Sequence, residues 1–413
     1  MKLKKLIGPF TQLLTMDKMP LKGPLADDML EIIEHAGIIT DGDYIQEAGD
    51  FDRLTKKAEQ NKYKVEELQS PLVALPGFID PHTHICWVGN RADDYSKRLQ
   101  GKTYTEIAAL GGGIWDTVMH TRKADITDLT KLMSERIQRH VLDGVTTIEV
   151  KSGYGLTVKD ELKMLQAITD ANRVSDADLI STCLAAHIYP KDFEGTSNEY
   201  LKMIVTDLLP IVYEKDLADR VDIYIDNHAF TPEEAQEYLK AAQAMGFKIV
   251  VHADQFRVGG SKIAIEANAL SADHLESSGE QELQLFAEND VIPVALPGSS
   301  IGLGVAFAPA RKLLNVGASL AIGSDWNPGS APMGDLLVQA CILGIYEKLT
   351  MAETLAAITY RAAAALDLKD RGIIKQGNIG DFIAFNVSNY KDIIYNQGKI
   401  KPMKIWKKGI VVK

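Results

Sequence analysis

Apolar runs alternate with amphipathic segments through the middle of the chain. Eight runs of strand length each end at a polar or turn residue, at 73–80, 146–151, 179–187, 221–226, 247–252, 269–274, 291–297 and 319–325. Most of the segments between them show helical periodicity, for example 157–171, 232–245 and 278–289. Near-continuous apolar strands that alternate with helices are typical of a parallel sheet, and eight such units predict a closed (β/α)8 TIM-type barrel.

The two ends of the chain have a different pattern. Residues 1–72 mix short apolar runs with charged stretches, and residues 369–413 contain short apolar runs joined by glycine turns. Since neither end could bury a sheet face alone, we expect both to form one small composite β-sandwich domain. It would lie beside a barrel that spans 73–368, and Pro76-Gly77 would mark the entry into the barrel.

Composition narrows the class of protein. The 413 residues carry a net charge of -11, which argues against nucleic acid or an anionic membrane as a partner. No stretch reaches the roughly 18 apolar residues that span a bilayer, and the N-terminus lacks the pattern of a secretory signal. The scattered Cys86, Cys183 and Cys341 suggest no disulfide framework. We therefore expect a cytoplasmic protein.

Histidines concentrate at one end of the predicted strands. Five of the nine histidines and one aspartate fall at or just after the C-terminal ends of the runs: His82, His84, His187, His252, His274 and Asp325. Barrels of this class build their active sites on that face. The remaining histidines, His35, His120, His140 and His228, follow no such rule, and we expect them on the surface or on helices.

Four of these side chains predict a metal site. His82 and His84 lie two residues apart in extended chain and therefore point the same way. With His252 and Asp325 they form a nitrogen and oxygen ligand set for one divalent ion, zinc or iron. We expect Asp325 to move a proton between an activated water and a leaving nitrogen, and His274 to face the same water or the developing oxyanion.

Each residue also has a structural interpretation. His82 and His84 could be a surface pair, His252 a buried histidine bonded to a neighbouring strand, and Asp325 the cap of the following turn. Lys151, at the end of the second run, permits a two-metal site with a carbamylated lysine as a further alternative. The convergence on one barrel face favours the single-metal site.

Several strings resemble a known family. They are Pro-His-Thr-His at 81–84, Leu-Gly-Gly-Gly-Ile at 110–114, Val-Lys-Ser-Gly-Tyr-Gly at 150–155, Ser-Ala-Asp-His-Leu-Glu at 271–276 and Ser-Asp-Trp-Asn-Pro-Gly-Ser at 324–330. Together with the histidine spacing, they resemble the metal-dependent amidohydrolases, and within them the imidazolonepropionase family. The resemblance implies hydrolytic opening of 4-imidazolone-5-propanoate to N-formimino-L-glutamate during histidine breakdown.

The resemblance also implies the substrate pocket. Arg91 would bind the substrate carboxylate, for which a guanidinium is well suited, and the other pocket residues would be Tyr104, Tyr154, His187, Gln255, Asn327, Gly329 and Ser330. Gln255 can hydrogen-bond but cannot act as a base, so the base is assigned to Asp325. A homodimer is expected.

Other functions stay open at this point. A deaminase of a nucleobase-like ring would share the metal ligands but not the carboxylate pocket, and a non-catalytic barrel would have lost its chemistry. Gly111-Gly112-Gly113 lies in the long segment after the first run and lacks the lysine of a phosphate-binding loop. We interpret it as a flexible turn.

Overall fold

The computed structural model describes residues 4–103, 106–107, 110–227 and 229–413. The strands of this part of the chain, in order, are β1 (Lys5–Leu14), β2 (Ile32–Asp41), β3 (Tyr44–Asp50), β4 (Lys64–Glu67), β5 (Val73–Pro76), β6 (Phe78–Asp80), β7 (Val145–Lys151), β8 (Asp178–Ala186), β9 (Arg220–Tyr224), β10 (Lys248–Ala253), β11 (Ser271–His274), β12 (Ile292–Ala295), β13 (Ala321–Ile322), β14 (Phe382–Phe385), β15 (Lys404–Lys407) and β16 (Ile410–Val411).

Its α-helices are α1 (Phe51–Asn61), α2 (Ala92–Leu99), α3 (Ile114–Lys123), α4 (Ile126–Leu142), α5 (Val158–Asn172), α6 (Ser197–Met203), α7 (Leu209–Glu214), α8 (Pro232–Ala244), α9 (Gly260–Glu266), α10 (Glu280–Glu288), α11 (Pro297–Leu303), α12 (Ala310–Asn315), α13 (Leu336–Glu347), α14 (Met351–Ala357), α15 (Tyr360–Ala365) and α16 (Lys391–Tyr395). The helices of the described residues are all too short or too polar to span a bilayer.

Strands β6 to β13 form a parallel barrel in chain order. The last strand meets the first just beyond their C-terminal ends, where Thr83 and Trp326 form a parallel bridge. The Asp325 N–H donates to His82 O and the His84 N–H donates to Trp326 O, each at 3.0 Å. The predicted eight-stranded barrel is therefore confirmed, with small shifts at the strand ends.

The first predicted run belongs to two sheets. Val73–Pro76 pairs with β14 and β1 of the second sheet, whereas Phe78–Asp80 pairs with β7 of the barrel. Gly77 separates them, and a Cβ atom there would lie 2.4 Å from Thr146 Oγ1. The chain thus crosses from one sheet to the other at a residue that has no room for a side chain.

The second sheet joins both ends of the chain. Its strand order is β16-β15-β14-β5-β1-β2-β3, with β4 paired to β1, so β5 lies between an N-terminal and a C-terminal strand. Phe10, Phe382 and Trp406 pack together in its core, and the rings of Phe382 and Trp406 stack at 4.7 Å. The expectation that the two ends complete each other is confirmed.

A cluster of charges ties this sheet to the barrel. Asp178, the first residue of β8, lies 2.7 Å from Arg371, 2.8 Å from Lys407 and 2.9 Å from Lys408. Burial opposes its charge, but these cations outweigh it and hold the pKa of Asp178 well below its usual range. The carboxylate therefore stabilises the contact between the two sheets.

We expect Asp178→Asn to lower the free energy of unfolding by about 1–3 kcal/mol at pH 7, because charged hydrogen bonds are lost. Since the folded pKa is depressed, the contribution is present above the unfolded value of about 4 and lost as the pH falls below it. Urea unfolding at several pH values measures both effects. Asp176→Asn, an exposed neighbour, is the control, and equal stability of the two variants at pH 7 would contradict the assignment.

Candidate active site

Three histidine side chains meet at the C-terminal end of the barrel. His82 and His84 follow β6, and His252 lies on β10. The Nε2 atom of His84 lies 3.2 Å from that of His82 and 3.3 Å from that of His252. Among the described residues, these three form a buried group able to hold a metal ion.

Asp325 lies beside two of these histidines. Its Oδ1 atom lies 3.6 Å from His82 Nε2 and 3.4 Å from His84 Nε2. Ligands at about 2.0–2.1 Å from a tetrahedral ion lie about 3.3–3.4 Å from one another, and the separations of His84 from His82, His252 and Asp325 are close to this spacing. The left-handed backbone at Asp325, with φ of 50°, is the kind of conformation that functional sites retain. Three of the four predicted ligands therefore form a group that could hold a metal ion, and Asp325, the fourth, lies next to two of them.

Buried carboxylates orient two of the imidazoles. Asp273 Oδ2 lies 2.6 Å from His82 Nδ1, and Asp222 Oδ2 lies 2.8 Å from His252 Nδ1. Such carboxylate partners fix the ring orientation of metal-binding histidines. Burial lowers the pKa of His252 to about 4 and the pKa of His82 well below its usual value. Both rings are therefore neutral near pH 7 and available as ligands.

Lys151 lies beneath this group. Its Nζ atom is 2.8 Å from Glu149, 2.9 Å from Asp222 and 3.8 Å from Asp273. Burial disfavours the ammonium, but the three carboxylates outweigh it and raise the pKa of Lys151. A carbamate at this position would add a fourth negative group to the same site. The geometry thus favours the single-metal interpretation over the carbamylated lysine.

His274 lies beside the four ligands with a partner of its own. Its ring centroid is 5.3 Å from that of His252, and its Nδ1 atom is 3.5 Å from Glu276 Oε2. Burial opposes the imidazolium, but Glu276 and Asp325 outweigh it and raise the pKa of His274. The backbone at His274 has a φ of 87°, which a residue other than glycine rarely adopts. His274 is therefore held with its ring at the cavity.

A cavity opens above the ligands. Of the predicted substrate residues in the described part of the chain, those that line it are Arg91, Tyr154, His187, Gln255, Asn327, Gly329 and Ser330. His84, His252, His274 and Asp325 line it too. Tyr104 lies outside the described residues, so its predicted place in the pocket stays a prediction. Residues from six segments that are distant in sequence thus share one cavity.

His187 presents a defined hydrogen-bonding group to this cavity. Its Nδ1 atom lies 3.0 Å from Gly153 O, and because a carbonyl only accepts, Nδ1 carries the proton. Burial lowers the pKa of His187 to about 3, so the ring is neutral. The remaining nitrogen, Nε2, is therefore a hydrogen-bond acceptor.

The turn after β13 supports Asp325. The Asn327 side chain donates to Asp325 O at 2.7 Å and accepts from the N–H groups of Gly329 and Ser330, each at 2.8 Å. Ser330 Oγ lies 3.4 Å from Asp325 Oδ2. Both ends of the Asn327 amide are used within the turn. Asn327 therefore shapes the cavity wall, and Ser330 lies beside the Asp325 carboxylate.

Comparison with known proteins agrees with this geometry. The chain matches the amidohydrolase family over residues 73–412. The chain belongs to the amidohydrolase family. The imidazolonepropionase of Deinococcus radiodurans is 38% identical over 395 residues, which cover 94% of this chain and 94% of that protein. The imidazolonepropionase of Bdellovibrio bacteriovorus is 34% identical over 387 residues, covering 93% of this chain and 90% of that protein.

A solved structure shares the amidohydrolase fold. An adenosine deaminase from Xanthomonas campestris with bound zinc has a TM-score of 0.72 at 15% identity, over 98% of this chain and 92% of that one. The resemblance predicted from the motifs is thus confirmed. This amidohydrolase is a hydrolase whose curated relatives carry the name imidazolonepropionase.

Sequence reasoning missed several residues of the amidohydrolase cavity. They are Arg98, Ile114, Tyr224, Phe256 and Leu303, which line it, and Glu276, which faces His274. Tyr224 donates to Gln255 Oε1 at 2.7 Å, and Gln255 donates to Ser299 Oγ at 3.1 Å. Tyr224 ends β9, so the strand-end rule that selected the histidines would have found it.

His140, expected on the surface or a helix, lies buried on α4, 3.2 Å from Asp80.

We expect Asp222→Asn to weaken metal binding by about 10- to 100-fold, because the partner that orients His252 loses its charge. Competition with a chelator of known affinity measures the change. Asp219→Asn removes a half-exposed carboxylate near the start of the same strand and should leave metal affinity unchanged. Equal affinities of the two variants would show that Asp222 does not act on the metal site.

Proposed function

We propose that the protein is an imidazolonepropionase, which opens the ring of 4-imidazolone-5-propanoate with water to give N-formimino-L-glutamate. The observation that carries this proposal is one cavity lined by three of the four predicted ligands, His84, His252 and Asp325, and by Arg91. The relatives that carry this enzyme's name match more than nine-tenths of the chain. The enzyme would thus take part in histidine degradation.

The cavity is complementary to that substrate. Arg91 is buried, and its guanidinium can pair with the carboxylate of the propanoate tail. The imidazolone ring offers N–H groups, and His187 Nε2 is an acceptor in the cavity wall. Tyr154, also buried, lies with its ring centroid 5.4 Å from that of His187. The two ends of the substrate therefore have different partners.

The ligand set supports one divalent ion, zinc or iron, held by His82, His84, His252 and Asp325. Three imidazoles and a carboxylate suit either metal, and no thiolate lies in the group. When bound, such an ion supplies Lewis acidity that polarises the ring carbonyl and acidifies water.

Asp325 is the proposed proton carrier. Its Oδ1 atom faces the histidines, while Oδ2 lies next to Ser330 Oγ on the cavity side. Burial raises the pKa of Asp325 to about 6 in the metal-free protein, and a cation bound beside it would favour the ionised carboxylate, which can accept a proton. Water adds to the ring carbonyl carbon, Oδ2 takes its proton, and the same proton passes to the ring nitrogen as the carbon–nitrogen bond breaks.

His274 stabilises the negative charge that develops on the carbonyl oxygen. Against the effect of burial, Glu276 and Asp325 raise the pKa of His274, and its ring lines the cavity in which the carbonyl oxygen would lie. A donor aimed at developing charge contributes more in a buried site than in water.

The direct test is turnover of 4-imidazolone-5-propanoate by metal-loaded protein, combined with metal analysis. We expect about one ion per chain, loss of activity in chelator, and a fall in kcat of at least about 100-fold for Asp325→Asn, since the proton carrier is removed. Asp290→Asn changes a fully exposed carboxylate and should behave as wild type. Metal-loaded protein that leaves this substrate intact would overturn the proposal.

Arg91→Ala separates this enzyme from an amidohydrolase that deaminates an uncharged ring. We expect the variant to raise KM by about 10- to 100-fold, because a buried charged hydrogen bond to the tail is lost. Steady-state kinetics measure the change, and Arg173→Ala, at an exposed arginine on the protein surface, is the control. Unchanged kinetics for Arg91→Ala would exclude its role in binding the tail.

A cytoplasmic location and a homodimeric assembly complete the proposal. The three cysteines are free and buried, which is consistent with a reducing compartment. Cell fractionation and light scattering on the purified protein would test the two statements.

A further inference from the structure

A buried carboxylate holds the proposed carboxylate-binding arginine. Asp94 lies in the first turn of α2 and accepts a hydrogen bond from Arg91 Nε at 2.5 Å. Both side chains are about 95% buried. Because Asp94 binds the Nε edge of the guanidinium, the opposite edge is left for a ligand.

The same carboxylate anchors the glycine string. The Gly113 N–H donates to Asp94 Oδ2 at 2.9 Å. A Cβ atom on Gly112 would lie 2.2 Å from Asp94 Oδ1 and 2.8 Å from its Cγ, so only glycine allows this approach. The turn expected from the sequence is present at 110–111, and Gly112 and Gly113 beside it hold the Asp94 carboxylate in place.

We propose that Asp94, which contacts Gly112 and Gly113, is the positioning residue that orients Arg91 towards the substrate carboxylate. This inference rests on the proposed function, since it takes Arg91 as the group that binds the propanoate tail. Asp94 gives the cavity its preference for an acid over the corresponding neutral amide. It acts through Arg91 and does not touch the substrate.

Charge and position predict opposite effects of removing this carboxylate. If charge alone mattered, Asp94→Asn would make the cavity more positive and strengthen the binding of an acid. If position matters, the variant loses the charge-assisted bond to Nε, Arg91 gains freedom, and acid binding weakens. Because the buried Asp94 carboxylate makes two contacts, we expect the positioning effect to be the larger one. Whether Asp94→Asn weakens or strengthens acid binding therefore decides between the two explanations.

The test uses metal-loaded protein with two probes, imidazole-4-propanoate and its primary amide, and measures binding by calorimetry. We expect wild type to prefer the acid. Asp94→Asn should bind the acid about tenfold more weakly and the amide as before. Asp93→Asn, an exposed acid next to it on the same helix, is the matched control and should behave as wild type.

Two further variants make the result specific. Gly112→Ala adds a methyl group where Asp94 Oδ1 lies and should reproduce Asp94→Asn, which keeps the test valid if that variant fails to fold. In an Arg91→Ala background, Asp94→Asn should cause no further loss. Independent losses in the double variant would overturn the inference.

Several other results would also contradict the positioning role of Asp94. Equal or tighter acid binding by Asp94→Asn, an equal loss for acid and amide, or no acid preference in wild type would each overturn the inference. Turnover is assayed separately. Wild type that prefers the acid but leaves 4-imidazolone-5-propanoate intact would overturn the proposed reaction, while the positioning role of Asp94 would still hold.

Discussion

The structure depends on the closure of the barrel between its first and last strands. Backbone hydrogen bonds from Asp325 to His82 and from His84 to Trp326 join the two strand ends. Three of these residues, His82, His84 and Asp325, are predicted metal ligands. The same contact therefore closes the sheet and brings together predicted ligands that are more than 240 positions apart in the chain. If the barrel were open between these two strands, Asp325 would be separated from His82 and His84.

Beneath this contact lies a network of buried charges that spans the barrel. Lys151 on β7 contacts Asp222 on β9 and lies near Asp273 on β11, and these carboxylates hold His252 and His82. Burying isolated charges would be costly, but mutual pairing offsets the loss of solvation. The neutral imidazoles above are thereby held in fixed orientations. The barrel core thus orients two predicted metal ligands through residues that are not themselves predicted ligands.

The segment after the first strand supplies the other side of the site. Arg98 on α2 donates to Gly302 O at 2.7 Å and lies 3.4 Å from Gly329 O, so the helix is held against both α11 and the turn after β13. Asp94 joins the same helix to the glycine string. Arg91 therefore reaches the cavity from a segment whose position is determined by contacts on three sides.

Local pattern was sufficient to predict the eight barrel strands and the residues that line the candidate site. Strand-length apolar runs specify the parallel sheet, and because parallel strands point the same way, residues at their C-terminal ends must share a face. His82, His84, His252, His274 and Asp325 could be selected from that rule alone. The resemblance in the motifs added the residues of the pocket wall.

Tertiary structure decided what depends on contacts between distant segments. The sequence could not show that the run at 73–80 divides between two sheets, that Lys151 is paired with carboxylates, or that the glycine string accommodates Asp94. Each of these depends on a side chain or strand from elsewhere in the chain, so no local period records it. Periodicity encodes the direction in which a residue points, whereas only the packed fold determines what it meets there.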